Sequence, residues 1–220
     1  MQKPATIGSG DLNEPIRLDC LPKAQQELLA RLSKAEWVAF FYLAGDTALA
    51  LHLGHRRSID FDFFSSIEFE QSNLGNQLAA MGKVMRLAES GGTLHCTLDG
   101  VKLSFFHYPH PLWQAIIWQK LQITSILDIA AMKLEAIAGR GNKKDFVDLY
   151  FILQRFNLTG LLQKHEQKYG PDWSNRYHLL KSLIYFADAE AEPMPELLQP
   201  VSWLTVKETI SRSVQRIDPF

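Results

Sequence analysis

The chain has 220 residues, 46% of them hydrophobic, a formal net charge of −1 at pH 7 and two cysteines. That length suits one compact unit of two lobes with a sizeable core, and the balanced charge excludes the uniformly basic surface of a strong nucleic-acid binder, though not a local basic patch. Cys20 and Cys96 are too few for a metal cluster of their own and lack redox-motif spacing, which fits a reducing compartment. No leader-like start and no run of ~18 apolar residues appears, so a soluble cytoplasmic protein with no membrane partner is expected.

Met1 to Arg17, rich in Gly, Pro and polar residues, reads as an irregular arm, and Leu21 to Trp37 as an amphipathic helix with Leu28, Leu29, Leu32 and Ala35 on one face. Val38 to Leu43 is an apolar strand candidate. Gly45 turns the chain into a helix from Thr47 to Leu53, capped by Asp46 or Thr47. A strand, a glycine turn and a helix N-terminus present backbone N–H groups and a positive dipole end, which suit a phosphate. Asp60 and Asp62 then alternate with aromatic residues in Ile59 to Phe64, so both carboxylates leave one face of a strand while Phe61 and Phe63 enter a core. Residues two apart on a strand are separated by roughly 6.5–7 Å, close enough for their carboxylates to share or bracket divalent cations about 3.5–4 Å apart. Mg²⁺ is the natural ion, since it takes few protein carboxylates and completes its shell with water and phosphates.

Further along, Thr93 to Leu98 and Val101 to Phe106 form a hairpin around Asp99-Gly100. Ser125 caps a helix with Asp128 in its first turn and Ile129, Met132, Leu134, Ala136 and Ile137 as its apolar residues, and Gly139 to Gly141 breaks it. Asn142 caps a second helix, Lys143 to Gln154, on which Lys144 and Asp148 lie four apart and can pair. Taken alone, Lys133 and Lys144 read as surface residues, with the stem of Lys133 snorkelling over apolar neighbours. Beyond Phe156, helices are predicted at Leu158 to Tyr169, Ser174 to Ala189 and Val201 to Arg216, separated by Gly170-Pro171 and by the proline-bearing stretch Glu192 to Pro200. The aromatic set Tyr169, Trp173, Tyr177, Tyr185, Phe186 and Trp203 reads as packing of this helical part.

Two blocks of these residues resemble one family. Gly45, Thr47, Ala48, Leu49, Ala50, Leu51, Gly54, His55, Arg56, Ser58, Asp60, Asp62 and Phe63 match the glycine signature and Asp-x-Asp strand of the DNA polymerase β-like nucleotidyltransferases, most closely the AbiEii/AbiGii toxin branch. Asp128 to Tyr150 is similar to the helical half of that branch, where a helical lysine, an arginine and a Lys-Asp-x-x-Asp-Leu element recur. The resemblance implies an α/β (α+β) fold, with a nucleotidyltransferase lobe on a small mixed sheet at residues 1–120 and a helical lobe closing the cleft at 121–220. It implies Mg²⁺-dependent transfer of an NMP from an NTP to an acceptor hydroxyl of a tRNA or protein. The chain would be the toxin of a toxin-antitoxin or phage-defence pair with a cognate antitoxin. Asp60 and Asp62 would hold the metal, and Lys133 would neutralise the triphosphate. Gly45, Asp46, Thr47 and Arg56 would face the nucleotide, and Lys144, Asp145 and Asp148 would order the cleft wall. Arg56, Arg57, Lys133, Arg140, Lys143 and Lys144 would converge if the two blocks face each other.

Two departures mark this chain. Asp46 stands where the family carries Gly or Ser, so its carboxylate either turns outward, caps the helix or joins the metal shell. Ser104 stands where many relatives carry a third carboxylate that activates the acceptor. Serine is no base near neutral pH, so either no protein base is needed or another group serves, with His107 a candidate. Two other classes are open on sequence alone: a non-catalytic relative that keeps the fold for binding, and an antibiotic-modifying enzyme, for which no acidic pocket is recognisable.

Overall fold

The computed structural model describes residues 15–170 and 176–217. In chain order these form α1 (Lys23–Leu32), β1 (Tyr42–Ala44), α2 (Gly45–Leu53), β2 (Phe61–Ser65), α3 (Gln71–Ala79), β3 (Val84–Ser90), β4 (Thr93–Leu98), β5 (Val101–His107), β6 (Ala115–Trp118) and β7 (Leu121–Thr124). The helices α4 (Ile126–Gly139), α5 (Lys143–Leu153), α6 (Leu158–Tyr169), α7 (Arg176–Leu183), α8 (Ala187–Glu190) and α9 (Trp203–Gln215) follow. The strands make one mixed sheet in the order β3-β4-β5-β2-β1-β7-β6. The pairs β1–β7 and β2–β5 are parallel and the other neighbours antiparallel. A mixed-sheet lobe followed by a helical C-terminal lobe is therefore the fold, and the sheet runs on to Thr124, past the residue-120 boundary expected from the sequence.

Alternation along β2 divides the sheet into a packed face and a working face. Phe61 and Phe63 are fully buried, whereas Asp62 and Phe64 point to the other side and keep partial exposure. Phe63 stacks on Phe105 at 5.1 Å and 13°, and Phe105 meets the edges of Phe41 and Trp37. Leu28, Leu29 and Leu32 of α1 join the same core. Each such side chain contributes about 1.5–3 kcal/mol by leaving water, which makes β2 a rigid platform for the residues on its opposite face.

The strand expected over Val38 to Leu43 is correct only at its end. Glu36–Phe40 winds as a 3₁₀ turn, because the adjacent residues Trp37 and Val38 both enter the core, which the two-residue period of a strand does not allow. The long helix expected at Ser174 to Ala189 is two helices, α7 and α8; residues 174 and 175, Trp173, Pro171 and the arm up to residue 14 lie outside the described residues. Of the aromatic set, Tyr169 is buried and Phe186 packs with Trp203 and Phe146, while Tyr177 and Tyr185 are exposed.

The helical lobe is organised around α4, which touches α2, α5, α6 and α7. Ser125 caps it by accepting from the Asp128 backbone N–H. Asp128, fully buried, also takes Lys168 Nζ at 3.0 Å and the backbone N–H groups of Trp113 and Gln114, so the chain entering β6 is tied to the helix. Replacing the central ring of the packed face, Phe105→Ala, is expected to cost about 3–5 kcal/mol, read as a lower urea midpoint with unchanged slope.

Candidate active site

The site begins where β1 passes directly into α2. Ala44 precedes the helix without any side-chain cap, leaving the first-turn N–H groups open. Gly45 has φ of 66°, and a Cβ placed there would lie 3.2 Å from Asp62 Oδ2. The left-handed backbone favours glycine, and a Cβ at this approach would push the Asp62 carboxylate by a few tenths of an ångström. Ala44 pairs with Asp62 across β1 and β2, and Asp62 pairs with Ser104 across β2 and β5. Ser104 Oγ lies 3.1 Å from His95 Nδ1 on the next strand. Asp60, just ahead of β2, is half-exposed and has Lys102 Nζ at 3.9 Å.

Asp60 and Asp62 line a cleft of about 370 Å³ between the sheet and the helical lobe. Its sheet wall adds Phe64, His95, Lys102, Ser104 and Phe106, and its helix wall is Ile129, Met132, Lys133, Ala136, Arg140 and Lys144. Burial pushes the Asp62 carboxyl above its ordinary range, the Asp46 and Asp60 charges add to that, and the neighbouring Ser104 hydroxyl opposes it. Asp62 has no ion-pair partner among the described residues. Two hard oxygen donors on one wall, Asp62 without an ion-pair partner among the described residues and Asp60 with only the distant Lys102, fit a divalent cation. A larger groove, about 500 Å³ beside Trp37 and Phe41, is lined by three glutamates and no basic residue, which does not suit a phosphate.

Behind the helix wall lies a buried charge cluster. Lys133, only 3% exposed, places its ammonium 2.8 Å from Asp145 Oδ1 and 2.7 Å from Asp148 Oδ2, and in contact with Asp46 Oδ1. Arg56 grips Asp148 through Nε at 2.6 Å and Nη2 at 2.8 Å and reaches Asp46 at 3.3 Å; His55 Nε2 completes Asp148 at 2.8 Å. Arg140 pairs with Asp145 at 3.0 Å and Lys144 with Asp46 at 2.8 Å. Asp46, Asp145 and Asp148 thus form a clustered acidic triad, with ligand oxygens all within 4.8 Å of one another. Hard donors of this kind could coordinate a divalent metal, and here the Lys133 ammonium sits among them. Burial by itself would raise the Asp148 carboxyl, but Lys133 and Arg56 hold it well below the carboxylate range, and Lys133 does the same for Asp46.

The positions singled out by sequence divide clearly. Gly45, Asp46, Asp60, Asp62, Lys133 and Lys144 all line the one cleft. Arg56, Asp145 and Asp148 do not; they lie beneath it and act on Lys133 and Asp46. Thr47 does not line the cleft either: its buried hydroxyl donates to the Asp60 carbonyl and bonds Ser58 Oγ at 2.6 Å, so its side chain pins the acidic loop. Lys144 does not pair with Asp148, because the α5 face carrying Asp148 is closed by Arg56 and His55. Lys133 does not snorkel. Arg57 and Lys143 turn away to the C-terminal segment, Arg57 to Glu196 and Lys143 to the carbonyls of Glu190 and Glu192. His107 packs beside Gly92, away from the cleft.

His95 and Lys102 are cleft residues that the sequence did not flag as site residues, whereas Arg140, one of the basic residues expected to converge, lines the cleft as well. A signal existed for the first two, since the two-residue Asp99-Gly100 turn sets His95 opposite Ser104 and Thr97 opposite Lys102. The buried thiols are not candidates, as burial pushes Cys20 up to about 12 and Cys96 up to about 11.

Residues 27–212 match the family described as "Nucleotidyl transferase AbiEii toxin, Type IV TA system", and the chain belongs to that family. It is a nucleotidyltransferase toxin of the toxin-antitoxin class. The uncharacterized protein aq_aa25 of Aquifex aeolicus (strain VF5) is 39% identical over 203 residues, 89% of this chain and 96% of that one. MenT4, a nucleotidyltransferase toxin from Mycobacterium tuberculosis H37Rv, shares the fold with a TM-score of 0.51 at 14% identity, covering 90% of this chain and 87% of its own. Among the described residues no helix is long and apolar enough to cross a membrane.

Removing one partner of a buried ion cluster leaves the other charges unpaired, so Asp148→Asn is expected to lower stability by about 3–5 kcal/mol in urea titration. Because Asp46 and Asp148 are held below their ordinary values, the stability they lend is complete above pH ~4 and drains as pH falls toward the lowered values; the acid limb of a stability–pH curve should be shallower in Asp148→Asn. Gly45→Ala should preserve the far-UV circular dichroism spectrum but displace Asp62, reducing transfer by roughly 10²-fold.

Proposed function

We propose that the cleft transfers a nucleoside monophosphate from an NTP to an acceptor hydroxyl on a tRNA or a protein, with Mg²⁺ held by Asp60 and Asp62, and that a cognate antitoxin restrains this activity in the cytoplasm. The observation that carries the proposal is the pairing of walls. Two carboxylates without a full cationic counterweight face Lys133, Arg140 and Lys144 across a single cavity. Mg²⁺, when bound, would supply Lewis-acid polarisation of the phosphate oxygens.

The protein's own groups do the rest. Asp62 is held on β2 between Ala44 of β1 and Ser104 of β5 and lies close against Gly45 at the first turn of α2, so its carboxylate is placed in advance for a cation. Arg140 and Lys144 have side chains 55% and 43% exposed, and exchange part of their contact with Asp145 and Asp46 for triphosphate oxygens. Lys133 closes the inner end. Asp145, Asp148 and Arg56 hold Lys133 in place and keep it charged. The helical lobe from α4 onward covers the nucleotide against the sheet.

A second reading is favoured by one observation: Asp46 already engages Lys133, Arg56 and Lys144, so its carboxylate competes with phosphate for the same cations. On that reading the chain keeps the fold as a binding or regulatory partner. The full chain incubated with α-³²P-labelled NTPs, Mg²⁺ and total tRNA separates the two. The proposal expects label on tRNA or on protein, with Asp60→Ala and Asp62→Asn, both folded, reducing transfer by about 10³-fold. An absence of both transfer and NTP binding at millimolar Mg²⁺ would establish the binding reading instead.

A further inference from the structure

We infer that His95 is the catalytic residue that takes the proton from the acceptor hydroxyl, filling the role left open by Ser104; the inference rests on the reading of the cleft as the transfer site. The β4–β5 hairpin turns on Asp99 and Gly100, both at positive φ, and that turn sets His95 directly opposite Ser104. The parallel register of β2 and β5 then sets Ser104 beside Asp62. Three side chains from three adjacent strands therefore stand in a row on the working face of the sheet, and all three line the cleft.

The contact along this row bears on which imidazole nitrogen is basic. Ser104 Oγ lies 3.1 Å from His95 Nδ1. The step requires the tautomer in which Nδ1 carries the ring proton and donates it to a Ser104 lone pair, which leaves Nε2 with a free lone pair. The ring is held edge-on to Phe106, centroids 5.5 Å apart at 76°, which limits its rotation. No other cleft group is suited to the task. Lys102, Arg140, Lys133 and Lys144 are cations, Asp46 is engaged by three of the cluster's cations, and Asp60 and Asp62 are assigned to the metal. From β3, the neighbour of His95 is Ala88, which carries no charge. An imidazole is the side chain that exchanges a proton near neutral pH.

In the step proposed, the acceptor O–H gives its proton to His95 Nε2 while its oxygen forms a bond to the α-phosphorus. The bond from that phosphorus to the bridging oxygen breaks, and pyrophosphate leaves with the electron pair. The imidazolium then returns its proton to solvent.

His95→Asn tests this directly, because the asparagine amide can still donate to Ser104 from about the place of Nδ1 but offers nothing at Nε2. With α-³²P-labelled NTPs and total tRNA, His95→Asn should transfer about 10²-fold more slowly than wild type with unchanged NTP affinity, and its rate should lose the fall on the acid side that wild type shows. Free imidazole should restore part of the rate to His95→Ala. Nitrogen NMR of the full wild-type chain should show the Nδ1–H tautomer at His95. Full activity with an unaltered pH profile in His95→Asn, or a neutral His95 protonated at Nε2, would overturn the inference. If wild type itself transfers no label, the reading of the cleft fails, and this inference with it.

Discussion

The arrangement of the whole cleft depends on one cation, the ammonium of Lys133 among Asp46, Asp145 and Asp148. Carboxylates within 4.8 Å of one another repel by roughly 3.5 kcal/mol per pair at an effective dielectric constant of 20. Without a positive charge at their centre the three could not all remain ionised in a buried place. Lys133 supplies that charge from α4, Asp145 and Asp148 come from α5, and Asp46 comes from the first turn of α2. The cluster therefore fixes the distance between the helical lobe and the sheet, and with it the width of the cleft.

Charge in this protein is sorted by depth. Lys133 and Arg56 are buried and spend their hydrogen-bonding capacity on protein carboxylates, whereas Arg140 and Lys144 share those carboxylates while keeping part of their surface in the cleft. On the proposed reading, a phosphate entering the cleft would meet the partly free cations first and the buried ones only at its inner end. The same division explains the substitution at position 46. A carboxylate at the start of α2 would repel a triphosphate if it stood alone, but here it is a member of the cluster and its charge is largely met.

Strand register is the second organising element. Asp62 neighbours Ala44 on one side and Ser104 on the other, and Ser104 in turn neighbours His95. A slip of one residue in any of these pairings would send the polar side chain into the Phe63–Phe105 core. The aromatic packing on the back of the sheet thus enforces the order of acid, hydroxyl and imidazole on its front.

Much of this was legible in the order of residues. Local patterns sufficed for α4, α5 and α6, for the hairpin, and for the alternation that sets Asp62 opposite to Phe61 and Phe63, because capping, turn chemistry and period-two burial act between residues close along the chain. The residues of the two signature blocks likewise carried the resemblance to the family. What only the tertiary structure decided was the partner of each charge. Arg56 meets Asp148 across 92 positions of sequence, Lys133 meets Asp46 across 87, and Thr47 folds inward to hold the acidic loop. Residue type announces that a lysine or an arginine can bind an anion, but whether that anion is a phosphate or a protein carboxylate depends on what the fold brings within a few ångströms, and no local rule contains that information.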